Sequence, residues 1–186
     1  VGVMAEYMSS PNHPKVSLEV ANTSTIARRV RDFELDIGLI EGELQASELE
    51  VIPWREDRLV AFCSPGHPLA AKTKLTDDDL RSATWILREQ GSGTRQSFER
   101  GMHGLLPDLN VLLELEHTEA IKRAVEANLG IGCLSEVVLA DAFKRGSLVP
   151  LAIPHRQFDR HFYFILHKQK YRSAGIDRWM TLCREL

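Results

Sequence analysis

The chain lacks any apolar run approaching the roughly 18 residues of a membrane span, and it opens on no charged-then-apolar leader, which argues against export. It also lacks a basic excess: 23 Lys and Arg stand against 26 Asp and Glu, a formal net charge of −3. A nucleic-acid surface carries a clustered positive excess, so this segment is not itself expected to bind DNA. Cysteine is scarce. Cys63, Cys133 and Cys183 are odd in number, widely separated and set in apolar stretches, with no Cys-x-x-Cys. That argues against a disulfide framework or a redox pair and reads as buried free thiols in a reducing cytosol. Walker, His-Glu-x-x-His and Gly-x-Ser-x-Gly motifs are all absent. His155, His161 and His167 are spaced too far apart along a strand to share one metal.

What is present is a globular core. Hydrophobic residues make up 44% of the 186, too many for disorder and enough for one large core or two small ones. Val16 to Val20 alternates apolar and polar, predicting a half-buried strand. Asn22 and Thr23 cap a predicted helix with Ile26, Ala27, Val30 and Phe33 on one face. Asp36 to Ile40 reads as a strand buried on both faces, completing a βαβ pattern. Leu49–Ile52 and Arg58–Cys63 read as two more strands, and Ser64 to Pro68 is a strong turn cluster. Beyond it the order continues as α/β. A helix starts at Thr76, strands cover Trp85–Leu87 and Val111–Leu115, and a helix from Thr118 buries Ile121, Ala124, Val125 and Leu129. A strand then spans Gly130–Leu134, and Ser135 caps a helix that Gly146 ends. Strands at Leu148–Ile153 and Phe162–His167 precede a closing helix striped by Ile176, Trp179, Met180 and Cys183.

The most pointed chemistry lies in Glu89-Gln-Gly-Ser-Gly-Thr-Arg95, between a strand and a helix. Glycines allow close approach of a ligand, a helix start offers unpaired N–H groups, and Ser92 and Thr94 add hydroxyls. The combination suits a small anion, although an ordinary Gly/Ser helix cap is the plainer account of the residues alone. Gly130-Ile-Gly132 lacks the third glycine of a dinucleotide fingerprint. No nucleophile–base–acid set assembles from spacing, so no catalytic residue, metal ligand or cofactor is assigned.

Four blocks in order resemble a known family: Asp36-Ile-Gly-Leu-Ile-Glu-Gly42, Pro65-Gly-His-Pro-Leu-Ala70, Trp85 through Arg95, and Glu119 through Ser135. Together they resemble the effector-binding domain of a LysR-type transcriptional regulator, and the wording around Trp85–Arg95 is most similar to the CysL-type sulfur-metabolism branch. The resemblance implies a type 2 periplasmic-binding-protein-like fold of two Rossmann-like lobes joined by crossover strands. Lobe I is then 1–64 plus 160–186, and lobe II is 65–159. A small effector would sit in the cleft between lobes, bordered by Ser92, Gly93, Thr94, Glu41, Gly42, His117, Thr118 and Gly132.

The family's N-terminal winged helix-turn-helix is not in the sequence, and the first strand of lobe I is expected upstream of Val1, whose Val1–Met8 segment reads as the later part of the first helix. The resemblance further implies a cytoplasmic homodimer or homotetramer built through the helices from Thr23 and Thr118. Its effector would be an anion such as a sulfur oxyanion or short carboxylate. DNA contact would come only through the absent domain, with RNA polymerase as a further contact of the whole regulator and no membrane partner. Two other readings share the fold class: an exported solute-binding protein, and a small α/β enzyme with Ser92 or Thr94 as nucleophile.

Overall fold

A computed structural model describes residues 2–10 and 13–185. The chain forms two compact units: Val1–Ile40, Leu44–Arg55 and Phe162–Leu186 make unit 1, and Glu41–Glu43 with Glu56–His161 make unit 2.

Unit 1 carries helix α1 (Gly2–Met8), helix α2 (Thr23–Arg31), most of strand β1 (Gly38–Glu41), and the first part of strand β2 (Leu49–Cys63). At its far end are the later part of strand β7 (Asp159–His167) and helix α7 (Ala174–Glu185). β7 lies between β1 and β2, and its side chains alternate between two cores. Ile165 points to one side and packs with Ile26, Ala27 and Val30 of α2. Phe164 and Leu166 point to the other, against Met180 and Cys183 of α7 and Val3 of α1. Asn22 caps α2 by accepting the Thr25 N–H at 3.0 Å.

Unit 2 carries the rest of β2, helix α3 (Asp77–Ser82), strand β3 (Thr84–Arg88), helix α4 (Gly93–Gly101) and strand β4 (Asn110–Leu115). Helix α5 (Thr118–Glu126), strand β5 (Ile131–Ser135), helix α6 (Glu136–Arg145), strand β6 (Val149–Leu151) and the start of β7 follow. Strands β4 and β5 both run parallel to β3, one on each side, while β2 is antiparallel to β5 and to β6. The period of two again sets the layers. Trp85, Leu87, Leu59 and Cys133 face Leu80, Phe98 and Met102, whereas Ile86, Phe62 and Leu134 face Ile121, Val125, Leu139 and Ala142. Both faces of the sheet are therefore covered by helices, which is why all five residues of β5 are buried.

Several sequence expectations need correction. Residues 16–20 form no strand; Leu18 and Val20 are 62% and 88% exposed. Alternation specifies a strand only where a neighbouring strand supplies ladder partners, and among the described residues none pairs with this segment. Leu49–Ile52 and Arg58–Cys63 are one continuous strand, β2, with Pro53 inside it. Phe33 lies beyond α2 at φ 60°, half exposed, and Leu129 lies beyond α5, also half exposed. β1 is not buried on both faces, since Leu39 is 39% exposed. The division within β2 falls after Arg55 and not at Ser64, because Leu59, Ala61 and Phe62 bury themselves in unit 2. Among the described residues no helix is long and apolar enough to cross a membrane.

Candidate functional site

Strand β3 ends at Arg88, and the chain turns through Gly91, whose φ of +89° is the left-handed conformation that favours glycine. Ser92 then caps α4, its Oγ accepting the N–H groups of Thr94 at 3.2 Å and Arg95 at 3.4 Å. The cap fixes the first turn of the helix and aims Thr94 into a polar group wholly inside unit 2.

That group centres on Arg160, whose side chain is fully buried. Its Nε meets Asp57 Oδ2 at 2.6 Å, and its Nη1 donates to Thr94 Oγ1 at 3.0 Å and lies 3.2 Å from Glu41 Oε2. Thr94 Oγ1 in turn donates to Glu41 Oε2 at 2.7 Å. On the far side, Ser135, the cap of α6, donates to Asp57 Oδ1 at 2.7 Å. A buried cation between two carboxylates and two hydroxyls is a strongly coupled, charge-assisted arrangement. Beside it, Gly42 takes φ +78°, and a Cβ there would lie 3.1 Å from Gly93 O and 3.0 Å from Gln96 Oε1. Arg100 of α4 lies 2.6 Å from Glu43 in an exposed ion pair.

The structure thus gathers Glu41, Gly42, Gly93 and Thr94 into one place, with Ser92 as the cap that organises it. Arg95 is committed elsewhere, donating to Glu99 Oε1 at 2.7 Å and to Arg88 O at 2.9 Å. His117 and Thr118 stand at the start of α5, where His117 is exposed and makes no side-chain cap bond. Gly132 sits in β5 with the Phe62 ring filling its open face; a Cβ there would be 2.7 Å from that ring. None of these three joins the hydrogen bonds around Arg160.

Asp57 and Arg160 were not singled out by the sequence, though a signal existed. Asp57 shares the period-two face of Leu59, Ala61 and Cys63, and Arg160 shares that of Phe164 and Leu166. An acid and a base each placed on the apolar face of a strand must find each other. The thiols play no such part. Burial pushes Cys133 up to about 12, offset slightly by the Arg160 charge, and pushes Cys63 up to about 11, so both stay protonated near neutrality.

Comparison with known proteins agrees with this architecture. The family model described as the LysR substrate binding domain matches residues 1–186. The HTH-type transcriptional regulator YeiE of Escherichia coli K12 is 39% identical over 181 residues, 97% of this chain and 61% of that protein. CysL of Bacillus subtilis is 35% identical over 131 residues, 68% of this chain and 43% of that protein. The chain therefore spans about three-fifths or less of these curated relatives. The regulatory domain of Synechocystis PCC6803 CcmR in complex with 2-PG superposes with a TM-score of 0.87 at 28% identity, covering 99% of this chain and 88% of that one. The cofactor-binding domain of the Cbl regulator shares the fold, with a TM-score of 0.85 at 20% identity over 99% of this chain and 81% of that one. With a family match along its whole length, the chain belongs to the LysR substrate-binding-domain family.

Proposed function

We propose that this domain senses a small anion, such as a sulfur oxyanion or short carboxylate, bound on unit 2 at Ser92, Gly93 and Thr94 with Glu41, Gly42 and Arg160. His117 and Thr118 would form its outer margin. The observation that carries the reading is the fully buried Arg160 guanidinium held 3.0 Å from Thr94 Oγ1 at the capped start of α4. A fixed cation and a hydroxyl donor beside it together recognise an anion's oxygen. The 2-PG complex of the CcmR regulatory domain supports a small-molecule effector.

In the whole regulator, effector binding shifts the population between two arrangements of a cytoplasmic homodimer or homotetramer. The shift changes DNA binding by an N-terminal helix-turn-helix domain and contact with RNA polymerase. The domain turns over no substrate in this account. The test is a thermal-shift panel of sulfite, sulfate, thiosulfate, phosphate and acetate, repeated with Ser92→Ala and Thr94→Val. A ligand at a hundred times its dissociation constant adds about 2.7 kcal/mol. At about 2–4 °C per kcal/mol for a domain of this size, the melting temperature rises by several degrees. A rise that both substitutions leave undiminished removes this site.

A further inference from the structure

Resting on the anion site just proposed, we infer that Glu41 is its resident occupant: the Glu41 carboxylate holds the seat that an effector's charged group takes. The site then selects a single carboxylate, or a monoanion of that size, which enters by displacing Glu41. Two acids converge on one guanidinium, and they are held differently. Asp57 has a side chain 1% exposed, lies 2.6 Å from Arg160 Nε through one oxygen and accepts Ser135 Oγ through the other. Glu41 has a side chain 42% exposed and lies farther off, 3.2 Å from Arg160 Nη1. Asp57 is the permanent counter-ion; Glu41 is the partner that solvent and solutes reach.

The contacts of Thr94 define the replacement. Its hydroxyl oxygen accepts from Arg160 Nη1, and its single hydrogen is given to Glu41 Oε2. Any group taking that place must therefore accept from both Thr94 Oγ1 and Arg160 Nη1, which a carboxylate or oxyanion oxygen does and an ammonium does not. Charge sets the rest. With Glu41 turned out to solvent, where water screens it, a monoanion restores the contacts that Arg160 had, whereas a dianion places a second extra charge beside buried Asp57. A Cβ at Gly42 would lie 3.1 Å from Gly93 O and 3.2 Å from Ser97 Oγ, so the backbone next to Glu41 runs close against α4, and the Gly42 N–H donates to His161 O at 3.2 Å. The exchange is then a swing of the Glu41 side chain.

Glu41→Ala opens a carboxylate-sized gap at the seat, and acetate is the probe that fits it. In calorimetric and thermal-shift titrations of the 186-residue chain, acetate is expected to bind Glu41→Ala at least tenfold more tightly than the unaltered chain, with no such gain for sulfate. Glu41→Gln, which keeps the shape and an acceptor but not the charge, gives a smaller gain in the same direction and serves if the alanine variant does not fold. Equal acetate affinity in the unaltered chain and both variants, or no acetate binding to any of them, overturns the inference. Adding Thr94→Val separates it from the reading beneath it. Anion binding that needs Thr94 but ignores Glu41 keeps the site and removes the competition, whereas anion binding indifferent to Thr94 removes both.

Discussion

Replacing Asp57 with alanine leaves the Arg160 guanidinium buried without its principal counter-ion. The two side chains are 1% and 0% exposed and only 2.6 Å apart, so neither is well screened by water. Removing one partner of such a pair costs about 3–5 kcal/mol, because the remaining charge stays desolvated. The Ser135 hydroxyl loses its acceptor as well. At about 2–4 °C per kcal/mol, the melting temperature should fall by about 6–20 °C. The double change Asp57→Leu with Arg160→Met should recover most of the loss, since an apolar replacement of a buried ion pair is often neutral or stabilising. Urea unfolding followed by circular dichroism, with Asp57→Leu, Arg160→Met and their double variant in one cycle, reads the coupling directly. A loss below about 1 kcal/mol for Asp57→Ala, or a double variant that simply sums the single losses, would refute the claim that these charges are buried and mutually dependent.

The Arg156 guanidinium, and after it His155, hold the Asp77 carboxyl well below its ordinary range. A carboxylate more acidic in the folded state stabilises above the unfolded value of about 4 and loses that stabilisation as pH falls below it. Urea melts between about pH 5 and pH 3 should therefore show a steeper decline for the unaltered chain than for Asp77→Asn, and parallel curves would contradict the pairing. Gly146 ends α6 at φ +71° with open space where a Cβ would stand. Gly146→Ala should thus lower stability by about 1 kcal/mol through backbone strain alone, read from the same urea melts, and an unchanged midpoint would count against it. The three buried cysteines should resist a thiol reagent at pH 8 in the native chain and all react once it is unfolded in urea. Prompt native labelling of Cys63 or Cys133 would contradict their burial.

The α/β order was legible because the layers obey simple periods. Trp85, Ile86 and Leu87 alternate between two cores as a period of two requires, and the Thr76 capping box and the Gly146 stop fall where the residue types place them. Residues 16–20 misled because strand formation is decided by a neighbour and not by the segment's own pattern. Phe33 and Leu129 misled because each helix ends before the apolar period does. The Gly-rich loop was visible as a helix start, and Glu41 and Thr94 were singled out, but their direct contact spans 53 residues of sequence and no local pattern encodes it. Asp57 and Arg160 fell just outside the strands read from the sequence, Arg58–Cys63 and Phe162–His167; only once β2 and β7 are seen to extend through them do both charges fall on a buried face.

A crystal structure of the chain with acetate or sulfite, whichever gives the larger thermal shift, tests the account most directly. The account predicts an anion oxygen within hydrogen-bond distance of both Thr94 Oγ1 and Arg160 Nη1, beside the Ser92 cap. A fully occupied anion bound elsewhere, with Glu41 still on Thr94 and Arg160, would contradict it.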